Sequence, residues 1–387
     1  MTDSIQVPGV LPTDEDYEQP FDLTAAQYGM WLSQQLHPHS THSVAHYMEV
    51  RGDLDLELLT ESMRIAAVET GSLLTRLIAP GCTDAGAQTV RQVLDLSTMP
   101  DELEHIDLTD DPDPIARAHA WMNAEFTAEI DMYRGPLCRT AVLTVGPQHH
   151  FWYARAHHVV IDGYGSAVIA VRTAEVYTSL QRGETAPPAK SRHPRAFLEA
   201  EAKYRSSHRI AKDREYWAGV ASELAEPVLL SGRSAEPSAF NHRCDRTLEQ
   251  QTDKALALAA DTHGTTVAAL VVAAFSAYLA RATDSEDVVL TLPMAARVTA
   301  WARSSATMTA NAVPIGVHVG PSTTVGELVA EVGSRIGNAL RHQLLPASEI
   351  AGDLRASGAT LGPTINLMLF GDEIRLGELD ARLDLLT

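Results

Sequence analysis

Cysteine is scarce in this chain of 387 residues. Its three cysteines, Cys82, Cys138 and Cys244, lie far apart and are odd in number. Their spacing fits neither a metal-ligand pattern nor a disulfide framework, and few cysteines suit a reducing compartment. We therefore expect a cytoplasmic protein that has no metal site.

Positive charge is also in short supply. Lysine and arginine together number 30 against 50 aspartate and glutamate residues, which gives a formal net charge of -20. Polyphosphates and anionic lipid surfaces repel such a chain, because their approach brings like charges together. Nucleic acid and membrane surfaces are therefore poor partners, whereas protein partners stay open.

Long hydrophobic runs are missing as well. The longest, over residues 267–280, is too short to span a bilayer and predicts a buried core helix. The acidic first twenty residues lack the apolar segment of a signal peptide. With 45% hydrophobic and 21% charged residues, the composition is that of a soluble globular protein.

Hydrophobic periodicity predicts a mixed α/β chain with two lobes, residues 1–184 and 185–387, joined by a polar linker over 182–194. Thr24 is placed to cap the first helix. Helices are predicted over residues 23–36, 56–68, 112–130, 166–180, 197–211, 253–264, 267–280 and 325–340. Strands are predicted over residues 43–50, 137–145, 151–160, 288–292 and 312–319.

The strand predicted over 151–160 leads into His157-His158-Val159-Val160-Ile161-Asp162-Gly163. Because side chains alternate along a strand, His157 and His158 cannot both face one substrate. Histidine is the side chain whose ordinary pKa suits a base for acyl transfer to an amine or hydroxyl. Gly163 lets the turn bend and lets backbone N–H groups approach an oxyanion, and the following helix adds its dipole.

Two interpretations of Asp162 stay open at this point. Its carboxylate could orient a histidine as in a catalytic triad, or it could be a structural anion paired with an arginine. A second pair, His149-His150, suggests zinc, but no carboxylate or thiol lies at a supporting spacing, so no metal is expected. A His-His pair alone is usually a packing feature, whereas the full pattern before a helix is more specific.

At these residues the chain resembles the condensation domains of nonribosomal peptide synthetases, whose signature is His-His-x-x-x-Asp-Gly. The resemblance extends over residues 21–379. Residues 23–32 look like the family's first core motif and residues 134–137 like its second. Residues 43–47 and 362–367 look closest to the siderophore type, the N-terminal condensation domain of the serine-activating component of enterobactin synthase.

The resemblance implies two chloramphenicol-acetyltransferase-like lobes in a V with a central tunnel, the second lobe lacking its usual C-terminal end. It implies an acyltransferase that forms an amide bond in siderophore biosynthesis. An upstream carrier protein would present an acyl or aryl thioester, and a downstream peptidyl carrier, which can belong to the same polypeptide, an aminoacyl thioester. Phosphopantetheine arms of these carriers would hold the substrates, and the domain would need no cofactor of its own.

The resemblance also implies roles for single residues. His158 would be the base or the group that positions the amine, and His157 and Gly163 would shape the turn. Asp162 would be structural and would pair with Arg297 of the second lobe. Asn311 matches the asparagine of the family's fifth motif, although a simple turn residue is an equal alternative.

Two other functions fit the same residues. A stand-alone O-acyltransferase of this fold would esterify an alcohol with the same histidine. A carrier-docking module that has lost catalysis would keep the fold but not the reaction, although the presence of both His158 and Asp162 argues against that alternative.

Overall fold

The structure is a computed structural model that describes residues 17, 19–81, 89–99, 102–227, 229–231, 243–358, 360–368 and 374–386. Cys82 lies outside these ranges. The helices are α1 Ala25–Leu36, α2 Leu56–Thr70, α3 Pro114–Thr127, α4 Gly163–Gln181, α5 Arg195–Arg205, α6 Arg209–Glu223, α7 Gln250–Thr262, α8 Val267–Thr283, α9 Ala300–Arg303, α10 Val325–Arg341 and α11 Ala347–Ser357. The strands are β1 Phe21–Asp22, β2 Ser43–Arg51, β3 Thr75–Ile78, β4 Arg91–Leu94, β5 Glu104–Asp107, β6 Cys138–Gly146, β7 His149–His157, β8 Asp287–Met294, β9 Asn311–His318 and β10 Asp380–Leu385.

The chain forms two compact units that are discontinuous in sequence. The first unit comprises Met1–Ala202, Arg297–Thr309 and Phe370–Thr387, and the second comprises Lys203–Ala296 and Ala310–Leu369. The sequence pattern predicts a single boundary between residues 184 and 185. The chain instead returns to the first unit twice, which local sequence patterns do not reveal.

A five-stranded sheet organises the first unit, in the order β10-β2-β7-β6-β5. Strands β5 and β6 run parallel, and the other pairs are antiparallel. Because side chains alternate, one face of the sheet packs against α2 and α4 and the other against α3. The first face buries Met48, Trp152 and Tyr177, and the second buries Met122 and Tyr153. A smaller sheet, β1-β4-β3, lies in the same unit.

The second unit is built on the antiparallel pair β8 and β9. Helices α6, α8, α10 and α11 contribute to one hydrophobic core with this pair, and its buried residues include Trp217, Val272 and Ile315. The backbone of the segment around Gly362 is in direct contact with the backbone of β8 at Val289. A Cβ on Gly362 would lie 1.9 Å from the carbonyl oxygen of Val289, so only glycine fits there.

The predicted helices and strands are mostly confirmed, including Thr24 as the N-cap of α1, where it also forms a capping box with Gln27. One exception is the helix predicted over 197–211, which is divided into α5 and α6. The hydroxyl groups of Ser206 and Ser207 bond the backbone carbonyls of Lys203 and Tyr204 at the break. Such bonds compete with the helical ladder and end α5.

Among the described helices, none is by itself long and apolar enough to cross a membrane. Helices α7 and α8 together have the length and composition of a span, but they are bent by 101° at the break between them.

Candidate active site at the turn after β7

The histidine motif lies where the sheet of the first unit passes into α4. Strand β7 ends at His157, residues 158–160 form a turn, and α4 begins at Gly163. The strand is therefore shorter than predicted, and His158 belongs to the turn. The backbone N–H of His158 donates to the carbonyl of His42 (2.8 Å), and the N–H of Val160 donates to the carbonyl of His157 (3.0 Å).

His157 is buried and uses both ring nitrogens inside the protein. Nδ1 accepts a hydrogen bond from the backbone N–H of Val159 (3.0 Å). Nε2 therefore carries the proton and donates to Oε1 of Gln34 (3.1 Å). Burial, together with His158, His42 and Arg155, lowers the pKa of His157 to about 3. His157 is thus a neutral ring that holds the turn.

His158 is only partly buried, and among the described residues its ring has one hydrogen-bond partner. Nδ1 lies 3.1 Å from the carbonyl oxygen of Ile161, which can only accept a hydrogen bond. In the neutral ring the proton is therefore on Nδ1, and Nε2 keeps its lone pair. Burial lowers the pKa of His158 below its ordinary value, against the opposing effects of Asp162 and the Ile161 carbonyl. The ring is neutral at pH 7, with an acceptor nitrogen.

Asp162 is buried and is bonded by several donors. It caps α4 through the N–H of Gly165 (2.8 Å), and Arg297 reaches its two oxygens through Nη1 and Nη2, both at 2.9 Å. The N–H of Thr309 adds another bond at 2.9 Å. Burial alone would raise the pKa of Asp162, but the Arg297 charge and these bonds hold that pKa below its usual value.

These contacts favour the structural interpretation of Asp162 over the triad. Arg297 is buried as well, and Nη2 also donates to the carbonyl of Thr307 (2.7 Å). The guanidinium lies 4.7 Å from the centre of the Tyr164 ring. Arg297 follows the second unit's β8 in sequence, yet it belongs to the first unit, not to a separate second lobe as predicted.

The two glycines at the start of α4 differ in what they require. Gly163 is the first residue of the helix and is not among the left-handed glycines of the described residues, so the predicted bend does not depend on it. The Asp162 carboxylate already occupies this helix N-terminus, so the dipole is matched by an anion of the protein. Gly165 is the tightly packed one: its Cβ would lie 2.9 Å from Cγ1 of Ile161 and 3.1 Å from the nitrogen of Thr307.

Asn311 lies in the second unit, at the start of β9. Its Nδ2 donates to the carbonyls of Gln343 (3.0 Å) and Leu345 (2.6 Å). Asn311 therefore fastens the segment after α10 to β9, a contact that no spacing in the sequence indicates.

The other histidine pair has separate partners. His149 Nε2 lies 2.8 Å from Oε1 of Glu49, and His150 Nδ1 lies 3.0 Å from the hydroxyl of Thr144. Within the part of the chain that the structure describes, no three or more His, Cys, Asp or Glu side chains are grouped to hold a metal ion.

Known proteins match this chain over most of its length. The model of the family described as "Condensation domain" matches residues 17–373. A dimodular nonribosomal peptide synthase of Bacillus subtilis (strain 168) is 32% identical over 364 residues, which is 93% of this chain and 15% of that protein. Enterobactin synthase component F of Escherichia coli (strain K12) is 28% identical over 375 residues, 94% of this chain and 28% of that protein. The chain thus spans less than a third of the length of these curated relatives.

Solved structures give the same result. The starter condensation domain of rhizomide synthetase, a mutant solved with C8-CoA, superposes with a TM-score of 0.85 at 31% identity, covering 95% of this chain and 83% of that one. The first condensation domain of the calcium-dependent antibiotic synthetase, with a substrate analogue, gives a TM-score of 0.81 at 28% identity, covering 95% and 84%. The mixed α/β fold is therefore that of condensation domains, which catalyse amide-bond formation by acyl transfer on carrier-bound substrates. This chain belongs to the condensation-domain family of nonribosomal peptide synthetases.

Proposed function

We propose that His158 is the catalytic residue of an amide-forming condensation between an acyl or aryl thioester and an aminoacyl thioester. The supporting observation is the hydrogen bond from Nδ1 of His158 to the Ile161 carbonyl, because it leaves Nε2 as an acceptor on a residue that is only partly buried. A neutral imidazole in this tautomer can accept a hydrogen bond from the attacking amine.

In the proposed step, the amine nitrogen attacks the thioester carbonyl carbon. A C–N bond forms and the C–S bond breaks. The proton lost by the nitrogen passes through Nε2 of His158 to the departing sulfur. Because the pKa of His158 is lowered, the ring is a weaker base than free imidazole, so holding the amine in place is a large part of its work.

The remaining site residues support the turn. His157 fixes the backbone before His158, and the Asp162–Arg297 pair anchors the first turn of α4 behind it. Asn311 supports the second unit. In the proposed step, none of these four residues accepts the proton of the attacking amine; that is the part of Nε2 of His158.

The proposed partners are an upstream acyl carrier and a downstream peptidyl carrier, with phosphopantetheine arms that bring both substrates. The domain itself holds no further cofactor in this proposal, and the reaction takes place in the cytoplasm. Enterobactin synthase component F and vanchrobactin synthetase, at 28% and 22% identity, make siderophore biosynthesis the first product class to test.

A second donor class is supported by one neighbour. The rhizomide synthetase starter domain was solved with C8-CoA, so an acyl-coenzyme A thioester deserves equal testing as the donor. The acceptor and the chemical step would be the same, and only the carrier of the acyl group would differ.

The test is acyl transfer measured by intact mass on a seryl- or glycyl-loaded downstream carrier. Donors are benzoyl- and octanoyl-loaded carriers and octanoyl-coenzyme A. We expect His158→Ala to lower turnover about 100-fold. The matched control is His105→Asn, since His105 is an exposed histidine of β5. Equal turnover of His158→Ala and the unchanged protein would remove His158 from this role.

A further inference from the structure

Val159, the residue that follows His158, has both its backbone N–H and its backbone carbonyl bonded by side chains. The N–H of Val159 donates to Nδ1 of His157 (3.0 Å), and the carbonyl of Val159 accepts from Nε2 of Gln27 (3.1 Å). Gln27 lies on α1, far from the motif in sequence. The backbone from which the His158 ring projects is thus tied to a residue that the motif does not contain.

Gln27 is buried together with a second glutamine, Gln92 of β4, and both are at most 1% exposed. The two amides bond reciprocally: Nε2 of Gln27 donates to Gln92 (2.9 Å), and Nε2 of Gln92 donates to Gln27 (2.8 Å). Gln92 also donates to the carbonyl of Asp22 (2.9 Å). Both hydrogens of each amide are therefore used.

The orientation of the Gln27 amide follows from its partners. The backbone N–H of Thr24 can only donate, so the atom 3.1 Å from it must be Oε1. The carbonyl of Val159 can only accept, so it must face Nε2. The network has one consistent arrangement, in which Gln27 donates to the turn.

Part of this arrangement is an ordinary helix cap. In the capping box of α1, Thr24 and Gln27 satisfy each other's backbone N–H groups. A glutamate would serve that purpose as well as a glutamine, because only an oxygen acceptor is needed. The bond to Val159 needs an N–H donor, which the cap does not require. The burial of Gln27 is likewise more than the cap requires.

We propose that Gln27, oriented by Gln92, is a positioning residue for His158. It fixes the Val159 carbonyl and thereby the direction in which Nε2 of His158 points. The inference rests on the proposed role of His158, because Gln27 acts only through that ring. Loss of the contact should lower kcat and leave KM for the loaded carriers nearly unchanged, since Gln27 contacts no substrate in this proposal.

The test is a double-mutant cycle on the full chain with loaded carriers. Gln27→Met keeps the length of the side chain and removes the donor, and it should lower kcat at least ~10-fold. In the His158→Ala background the same change should have almost no further effect, because residues that act through one group are not additive. Equal losses in both backgrounds would overturn the inference while leaving the role of His158 intact. A fully active His158→Ala protein would overturn both.

Thr24→Val is the matched control. It removes the hydroxyl that accepts from the Gln27 N–H and donates weakly to Oε1 of Gln27 (3.3 Å), and it keeps both the Thr24 backbone N–H that bonds Oε1 and the Gln27 donor that bonds Val159. If Gln27 mattered only for the helix cap, Thr24→Val and Gln27→Met would lower kcat by the same factor when they lower the unfolding midpoint by the same amount. We expect kcat of Thr24→Val to stay within about twofold of the unchanged protein.

Gln27→Glu covers the case in which Gln27→Met does not fold. Glutamate keeps the cap, and burial raises its pKa, so that acidification restores an O–H donor toward Val159. Relative to the unchanged protein, the kcat of Gln27→Glu should therefore be lowest at pH 8 and recover toward pH 6. The inference would be overturned if kcat of Gln27→Glu divided by kcat of the unchanged protein were constant between pH 6 and pH 8, or equal to one.

Discussion

At the residue scale, Asp162 and Arg297 form a charge pair that is withdrawn from water. Their side chains are 4% and 1% exposed, and the Nη1–Oδ2 distance is 2.9 Å. Removing one partner of such a buried pair costs several kcal/mol, because it leaves the other charge uncompensated, whereas losing a surface ion pair costs little. The stability of the first turn of α4 therefore depends on the charge of Asp162 and not only on its shape.

Asp162→Asn should lower the free energy of unfolding by about 3–5 kcal/mol, because it leaves the Arg297 charge buried without its partner. Urea unfolding measures the change. Asp113→Asn is the control: Asp113 caps α3 in the same way but is exposed and has no buried arginine beside it. Since asparagine caps helices as well as aspartate does, this control should change stability little. Similar losses in both variants would mean that the cap, not the ion pair, matters.

Two buried histidines make stability depend on pH. The pKa of His46 is lowered to about 4 and that of His157 to about 3, mainly because burial disfavours the charged ring. In the unfolded chain both titrate near 6.5. The unfolded state therefore binds more protons below that pH, and stability falls as the pH drops from about 6.5 toward the folded-state values.

Each of these groups should contribute a slope of about 1.4 kcal/mol per pH unit in that window. His46→Gln should make the pH dependence of unfolding shallower between pH 6.5 and 4, whatever its effect at pH 7. Thermal unfolding across this range measures the slope. An unchanged slope in His46→Gln would contradict the assignment.

At the scale of elements, the start of α4 is packed without spare volume. A Cβ on Gly165 would lie 2.9 Å from the Ile161 side chain, closer than Cβ atoms come, and 3.1–3.2 Å from the backbone of Thr307, which would have to shift by a few tenths of an ångström. The close approach lets Thr309, in the same segment, reach Asp162. The tight packing at the start of α4 and the hydrogen bond from Thr309 to Asp162 thus both result from the close approach of the segment at Thr307 to Gly165.

Gly165→Ala should therefore destabilise the protein by about 1–3 kcal/mol and lower turnover. Gly29→Ala offers the opposite case on α1, since nothing lies within 4 Å of its added Cβ. Alanine favours helix over glycine, so Gly29→Ala should stabilise by about 0.5–1 kcal/mol. Thermal unfolding of the two variants tests the contrast. A neutral or stabilising Gly165→Ala would show that the segment at Thr307 can yield.

At the scale of the whole molecule, the most distant pairing in sequence is between β10 and β2. Six residues of β10, Asp380–Leu385, pair with the strand at Arg51 to His46 in antiparallel register. Close to β10, Leu376 and Leu386 are buried in cores of the first unit. Strand β10 therefore closes one edge of the sheet that carries His157 and leads to His158.

Removal of residues 380–387 should expose that edge and speed hydrogen exchange in β2. The β8–β9 pair should keep its protection, because these strands pair with each other. Hydrogen exchange read by mass spectrometry locates the change. Arg382→Ala, at an exposed side chain of β10, serves as the control, since it leaves the backbone ladder intact. Uniform faster exchange in both sheets would argue against this division of the chain.

The sequence by itself determined the elements with strong local signals. Thr24 caps the first helix and the apolar run from residue 267 forms a helix of the second unit's core, and both were predicted. The short strands β3, β4 and β5 were missed, because four residues carry too little periodicity to stand out. The resemblance to the family rested on several short motifs, the signature from His157 to Gly163 together with residues 23–32 and 134–137, and each of these is a local pattern as well.

Only the tertiary structure decided which distant residues surround His158. Gln27, Gln92 and Gln34 gave no signal of their own, because a glutamine becomes informative only when burial forces its amide to find partners. The return of Arg297 and β10 to the first unit likewise depends on pairing across hundreds of residues. Local propensity fixes where elements begin and end, whereas the bonds that orient a ring are chosen by long-range packing, which no window of sequence contains.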